Sequence, residues 1–176
     1  MPVLPTAQYL RDPATRHEAF AMLVKETAPR LYSVVRKMVR WHDDADDVLQ
    51  NTYLKAWQAL DNYRGDAQPA TWLYRIAMNE SITFLERQKE TKRIEDDDLV
   101  RALEADPYFD GDETERQLQQ AIDTLPEKQR IVFNLKYYEQ MKYEEMSQLL
   151  STSVGALKAS YHLAVKKIEA FFAQLD

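Results

Sequence analysis

The sequence predicts an all-α protein of two small helical domains, a four-helix bundle and a C-terminal helix-turn-helix bundle, joined by an acidic linker. Three observations carry this. Only 3 of 176 residues are glycine while Leu, Ala, Gln, Glu, Lys and Arg dominate, so helix formers abound and turn formers are scarce. Apolar residues recur at i, i+3 and i+4 through most of the chain, the period of a helix with one buried face. Between Ile94 and Glu115 stand ten acidic residues against one base, Arg101, in runs rather than at helical spacing, with Pro107 and Gly111 as breakers.

Residues 1–15 carry Pro2, Pro5 and Pro13 without sustained periodicity and read as a loose N-terminal arm. From Arg16, the stripe Phe20, Leu23 and Val24 marks a first helix that stops near Thr27. Pro29 suits the first turn of a second helix capped by Thr27, running through Leu31, Val34, Val35, Met38 and Val39 to about Trp41. Asp43 or Asp44 can cap a third, whose apolar face is Val48, Leu49, Tyr53, Leu54, Trp57 and Leu60. DNYRGDAQPA is a loop, and Thr71 can cap a fourth helix reaching about Lys92. Residues 16–93 thus make the first domain and 94–115 the linker.

The second domain spans 116–176. Leu118, Ala121, Ile122 and Leu125 form one stripe, Pro126 interrupts it, and Val132, Phe133, Leu135 and Tyr138 form the next. Tyr143, Met146, Leu149 and Leu150 then define a two-turn helix. Residues 151–153, Ser-Thr-Ser, make a short turn and supply Ser153 as the N-cap of a longer helix with Val154, Leu157, Tyr161, Ala164 and Ile168 inward. Ala156, Lys158, Ala159, Ser160, His162 and Leu163 face solvent. A short helix, a three-residue turn and a longer helix is the helix-turn-helix outline, in which the second helix enters a major groove. Spacing alone favours a plain helical hairpin over a DNA reader, because helix pairs with short turns are common in any bundle.

Composition excludes several classes. There is no cysteine, hence no disulfide, thiol nucleophile or cysteine-bound metal, and a reducing compartment fits. His17, His42 and His162 lie on different predicted elements, and no phosphate-binding glycine loop or nucleophile motif occurs, so an enzyme is not expected. The adjacent carboxylates at 43, 44, 46 and 47 point in different directions on a helix, so neither a metal nor a cofactor is expected. No signal peptide or membrane span is read. The formal net charge of -6 argues against nucleic acid. Setting aside the ten acids and one base of the linker leaves 22 bases and 19 acids elsewhere, about +3 in two mildly basic flanking blocks.

Residue identity goes further. MKYEEMSQLLSTSVGALKASYHLAVKKIEAFF, with Tyr143, Glu144, Glu145, Ser153, Val154, Gly155, Lys158 and His162, resembles the promoter-reading region 4 of extracytoplasmic-function (ECF) RNA polymerase sigma factors of the sigma-70 superfamily. LPEKQRIVF, Leu125 to Phe133, looks like the Leu-Pro-x-x-x-Arg start of that region. The resemblance implies minus-35 contacts from Ser153, Gly155, Ala156, Lys158, Ala159, Ser160, His162 and Lys166. The chain departs from the pattern at Ser160, Leu163 and Val165, where the family often has arginine. Each lost phosphate contact lowers the salt slope by about 1, so unaided duplex binding should be weak.

DDADDVLQNTYLKAWQAL resembles the family's region 2.2, which docks on core polymerase, and implies that role for Asp46, Asp47, Gln50, Asn51, Tyr53 and Trp57. DNYRGDAQPATWLYRIAMNESITFLERQK resembles regions 2.3 and 2.4, which read and open the minus-10 element. Its matching residues are Tyr63, Arg64, Gly65, Thr71, Trp72, Leu73, Arg75, Ile76, Ala77 and Asn79. Aromatic and guanidinium faces give unstacked bases a platform. Tyr63, Arg64, Asp66, Arg75 and Asn79 are the candidate contacts, whereas Trp72, a large aromatic on an amphipathic helix, is expected in the core. Met78 stands where the family often has arginine.

The resemblance implies a cytoplasmic bacterial transcription-initiation factor, monomeric by default. Its implied partners are core RNA polymerase, promoter DNA and an anti-sigma protein. A flexible linker of 22 residues averages roughly 25 Å and stretches to about 70 Å, enough to reach two promoter elements at once. Its acidity would keep it off the DNA it spans. The competing readings are a stand-alone helix-turn-helix regulator and a helical adaptor that binds only proteins.

Overall fold

A computed structural model describes residues 4–91 and 112–175. The chain divides into two compact units, one up to Lys92 and one from Arg93. Among the described residues every regular element is a helix.

In the first unit, α1 (Ala7–Arg11) leads into α2 (Arg16–Val39) and α3 (His42–Ala59). A 3-10 turn (Leu60–Asn62) and a loop then precede α4 (Pro69–Thr91). The three long helices pack pairwise. Their shared core is Leu23, Leu31, Val34, Val35, Met38 and Val39 from α2, Val48 and Leu49 from α3, and Leu73, Met78 and Leu85 from α4. Each leucine or methionine fully withdrawn from water contributes about 2 kcal/mol. The small residues Ala45, Thr52, Ala56, Ala77 and Ser81 are also wholly buried and let the helix backbones approach. The two hydroxyls bond within their own helices, Thr52 to the Val48 carbonyl at 2.7 Å and Ser81 to the Ala77 carbonyl at 2.8 Å. Lys55 of α3 pairs with Glu80 of α4, and Gln88 Nε2 donates to Asp44 at 3.1 Å.

Several boundaries differ from expectation. The two helices expected to meet at Thr27 are one, with Pro29 inside α2. Pro29 removes the donor that would serve the Lys25 carbonyl, but both residues lie on the exposed face, where water substitutes. Thr27 does not cap; its hydroxyl donates back to the Leu23 carbonyl at 2.6 Å. The first unit therefore has three long helices plus α1. The N-terminal arm is not loose throughout, because residues 7–11 are helical with Leu10 wholly buried. α3 starts at His42, which puts Asp43 and Asp44 in its first turn, where they complement the dipole. α4 starts at Pro69 in the first helical position, ahead of Thr71.

In the second unit, Asp112 caps α5 (Glu113–Asp123) by accepting from the Glu115 amide at 2.9 Å, so this helix begins inside the segment assigned to the linker. The rest of that segment, 94–111, lies outside the described residues. Leu125 and Pro126 turn the chain into α6 (Glu127–Tyr137), followed by α7 (Tyr143–Leu150) and α8 (Val154–Ala173). α8 is the hub, touching α5, α6 and α7. A cluster of Ala121, Ile122, Leu125, Phe133, Ala164 and Ile168 forms the core, with Tyr161 and Tyr138 packed against it. Burial pushes the Tyr138 phenol up to about 12.

Candidate polymerase and nucleic-acid interfaces

On α3 the six candidate residues divide into two sets. Asp47, Gln50 and Asn51 are exposed, and Leu54 joins them one turn on, 60% exposed. The other three are held from inside. Asp46 pairs with His42 Nε2 at 3.2 Å, and the opposite ring nitrogen of His42 bonds the Tyr32 hydroxyl at 2.6 Å, which ties α3 to α2. Trp57 packs on His17 and Phe20 of α2, with ring centroids 4.6 and 5.3 Å apart. Tyr53 is half-buried, and burial raises its phenol pKa.

Leu54 corrects the expected apolar face. The buried stripe of α3 runs Ala45, Val48, Leu49, Thr52 and Ala56, three of them small. Leu54 lies off that stripe and leaves a large apolar side chain among the polar candidates. A pattern built on large residues alone misses this.

The loop before α4 turns at Gly65, whose φ of 82° is strained for any residue with a side chain. Tyr63 does not project from the loop as expected. It is 4% exposed, its hydroxyl donates to the Ala67 carbonyl, and its ring stacks on Trp72 at 4.6 Å. Burial raises the Tyr63 phenol pKa, the positive charge of Arg11 opposes this, and Asp66 reinforces it. Trp72, expected in the core, is only half-buried. The two aromatics have exchanged places: Tyr63, bonded to the Ala67 carbonyl, lies inside, and Trp72 stacks on it from the more open side. Arg64 and Asp66 are exposed on the loop, and Thr71, Arg75 and Asn79 follow on one exposed stripe of α4. The half-buried Trp72 ring shares α4 with Arg75, three residues on, and an aromatic face with guanidinium groups nearby in sequence is the chemistry that suits an unstacked base. Met78 is wholly buried, so an arginine there would point into this core rather than towards a phosphate.

The terminal helix pair has the expected build. Ser151 takes the left-handed conformation (φ 50°), and the Ser151 and Thr152 amides both return to the Ser147 carbonyl, closing α7. The Ser153 side chain accepts from the Ala156 amide at 3.2 Å and opens α8. Gly155, Ala156, Lys158, Ala159, His162 and Lys166 are exposed, and Ser160 is half-buried. Leu163, absent from the candidate set, is 48% exposed on the same helix. Lys158 lies over the Tyr143 ring at 5.7 Å, and Lys136 lies over the same ring at 4.6 Å, so α7 steadies the lysine of the exposed face. A methyl at Gly155 would meet nothing within 4 Å, so the fold itself does not require glycine there.

Among the described residues, no three His, Asp or Glu side chains come together as a metal site, and no helix is long and apolar enough to cross a membrane.

Two family models match, Sigma-70 region 2 over residues 23–91 and Sigma-70, region 4 over residues 115–168. Curated relatives include the RNA polymerase sigma-H factor of Pseudomonas aeruginosa, 30% identical over 86% of this chain and 84% of its own length. The ECF RNA polymerase sigma-E factor of Escherichia coli K12 is 29% identical over 86% and 85%. Among solved structures, CnrH in complex with the cytosolic domain of CnrY matches 96% of this chain and 94% of its own, with a TM-score of 0.63 and 24% identity. The sigma factor RpoE in complex with the anti-sigma factor NepR from Bartonella quintana matches 89% and 98%, with a TM-score of 0.66 and 19% identity. Both structures share the all-helical, two-domain fold.

Proposed function

The chain belongs to the sigma-70 family, in its extracytoplasmic-function group, and from that premise we propose how its two units divide the work of transcription initiation. It acts in the bacterial cytoplasm, binding core RNA polymerase, directing it to specific promoters and assisting strand opening. Phosphodiester chemistry belongs to the polymerase, and this chain has no catalytic role.

The exposed stripe Asp47, Gln50, Asn51 and Leu54 of α3 docks on core polymerase, while Asp46, Tyr53 and Trp57 hold that stripe in place. Arg64, Asp66, Arg75 and Asn79 contact the minus-10 element, with Trp72 as the stacking platform and Tyr63 as its support. Ser153, Gly155, Ala156, Lys158, Ala159, Ser160, His162 and Lys166 meet the minus-35 duplex. An anti-sigma protein is the expected partner outside the polymerase, as in the solved complex of RpoE with the anti-sigma factor NepR.

The observation that carries the reading is the pairing of a base-stacking surface in one unit with a helix-turn-helix in the other. The thinly charged α8 favours a bipartite reader over a regulator that binds duplex alone. The test is run-off transcription from candidate promoters with bacterial core polymerase, with and without the chain. Stimulation and comigration with core are expected; neither on any promoter tested would overturn the assignment.

A further inference from the structure

The N-terminal segment has no part in the function proposed above, yet the structure places it against the loop that bears Arg64 and Asp66. α1 touches α2 and the 3-10 turn that begins this loop. Five residues cannot sustain a helix alone. α1 is held by the wholly buried Leu10, and Pro5 just before it is buried as well.

The joint between α1 and α2 is built to be rigid. Asp12 and Pro13 occupy the first two positions of a tight turn, in which the Thr15 amide returns to the Asp12 carbonyl at 3.1 Å and the Asp12 carboxylate accepts from the Ala14 amide at 2.9 Å. Thr15 Oγ1 donates to the Tyr9 carbonyl at 2.8 Å. Arg16 then forks, donating to the Arg11 carbonyl at 3.0 Å and to Asp61 in the 3-10 turn at 2.9 Å. One guanidinium thereby joins the end of α1 to the start of the loop.

At the far side of the loop the approach is closer still. A methyl placed on Gly65 would come within 2.9 Å of the Ala7 methyl, inside ordinary contact. Gly65 therefore answers two demands at once, a positive φ and the closeness of α1. Arg11 is also near enough for its charge to act on the Tyr63 phenol.

We propose that α1 is a strut that sets the loop at residues 60–67, so that promoter opening depends on positioning residues Ala7 and Leu10, which touch no DNA. The proposal rests on the sigma-factor reading above. In its absence the loop would keep its Tyr63 anchor but lose the wall against which Gly65 turns. A displacement of about 1 Å at a positioned group can cost up to a hundredfold in rate.

The experiment uses the full chain in native form and as Leu10→Ala, Leu10→Met and Ala7→Leu. Amide hydrogen exchange is followed without polymerase, and core affinity and permanganate reactivity of minus-10 thymines are followed with it. In Leu10→Ala and Ala7→Leu, exchange across 60–67 should rise while the interiors of α3 and α4 stay protected. Promoter opening should fall about tenfold at core affinity within about twofold of native, and Leu10→Met should restore it. Unchanged exchange and opening in both variants, or core affinity falling by the same factor as opening, would overturn the strut. Should Leu10→Ala fail to fold, Ala7→Leu decides alone. A native chain that opens no promoter would instead remove the reading on which the proposal rests, because the exchange measurement needs no polymerase.

Discussion

The two units carry the interfaces proposed for them in opposite ways. In the first, candidate residues are woven into the core: Asp46 into the His42–Tyr32 link, Trp57 onto His17 and Phe20, Tyr63 beneath Trp72. In the second, the exposed face of α8 sets the short Gly155, Ala156 and Ala159 beside Lys158, His162, Leu163 and Lys166, outside the core that Leu157, Ala164 and Ile168 enter. A surface that must separate DNA strands needs rigid backing, since groups aimed at an unstacked base act through fixed position. A helix read by a groove needs only to be presented at the right angle, which α5, α6 and α7 ensure from beneath.

The contrast is sharpest at two positions where the family often has arginine. Met78→Arg places a charge without a partner in the first core and should cost more than about 4 kcal/mol. Urea unfolding measures it, and a change under about 1 kcal/mol would mean that position 78 reaches water.

Asp47→Arg, on the exposed stripe of α3, should lower core-polymerase affinity by about tenfold or more while stability stays within about 0.5 kcal/mol. Equal core binding by the two proteins would remove this stripe from the docking surface.

Leu163→Arg tests the same family arginine on the open face of α8. It should leave stability within about 0.5 kcal/mol and steepen the salt dependence of promoter binding by about 1 in slope. A slope that does not move would show that this turn of α8 faces away from phosphate.

The smallest expected effect belongs to Gly155→Ala. With space free around it, alanine should stabilise the second unit by up to about 1 kcal/mol through helix propensity. If DNA approaches the backbone there, minus-35 affinity should fall as the melting temperature rises. Affinity and stability rising together would assign Gly155 no contact.

Much of the candidate site could be read from residue order. The α7–α8 turn announced itself because caps and breaks are local: Ser153 bonds three residues ahead, and Ser151 and Thr152 bond back to Ser147. Arg64, Asp66, Arg75 and Asn79 were found as exposed, as expected of polar residues on a loop and on the outer stripe of a helix. The exposure of Leu163 was read correctly, whereas that of Leu54 and the inverted roles of Tyr63 and Trp72 were not legible. Which aromatic lies underneath depends on a hydrogen bond across the Gly65 turn, and neither ring's residue type records that choice.

By itself the sequence determined the helical class, the two-unit division and the helix-turn-helix, since periodicity, caps and breakers act over a few residues. The tertiary structure alone decided that α2 passes unbroken through Pro29, because only packing shows that the proline faces water. It decided that α3 buries Ala45, Thr52 and Ala56 while leaving Leu54 outside, because the face turned towards α2 and α4 is fixed by tertiary packing and not by residue size. It also decided that residues 7–11 are helical, since so short a segment takes that form only where Leu10 finds a core to enter.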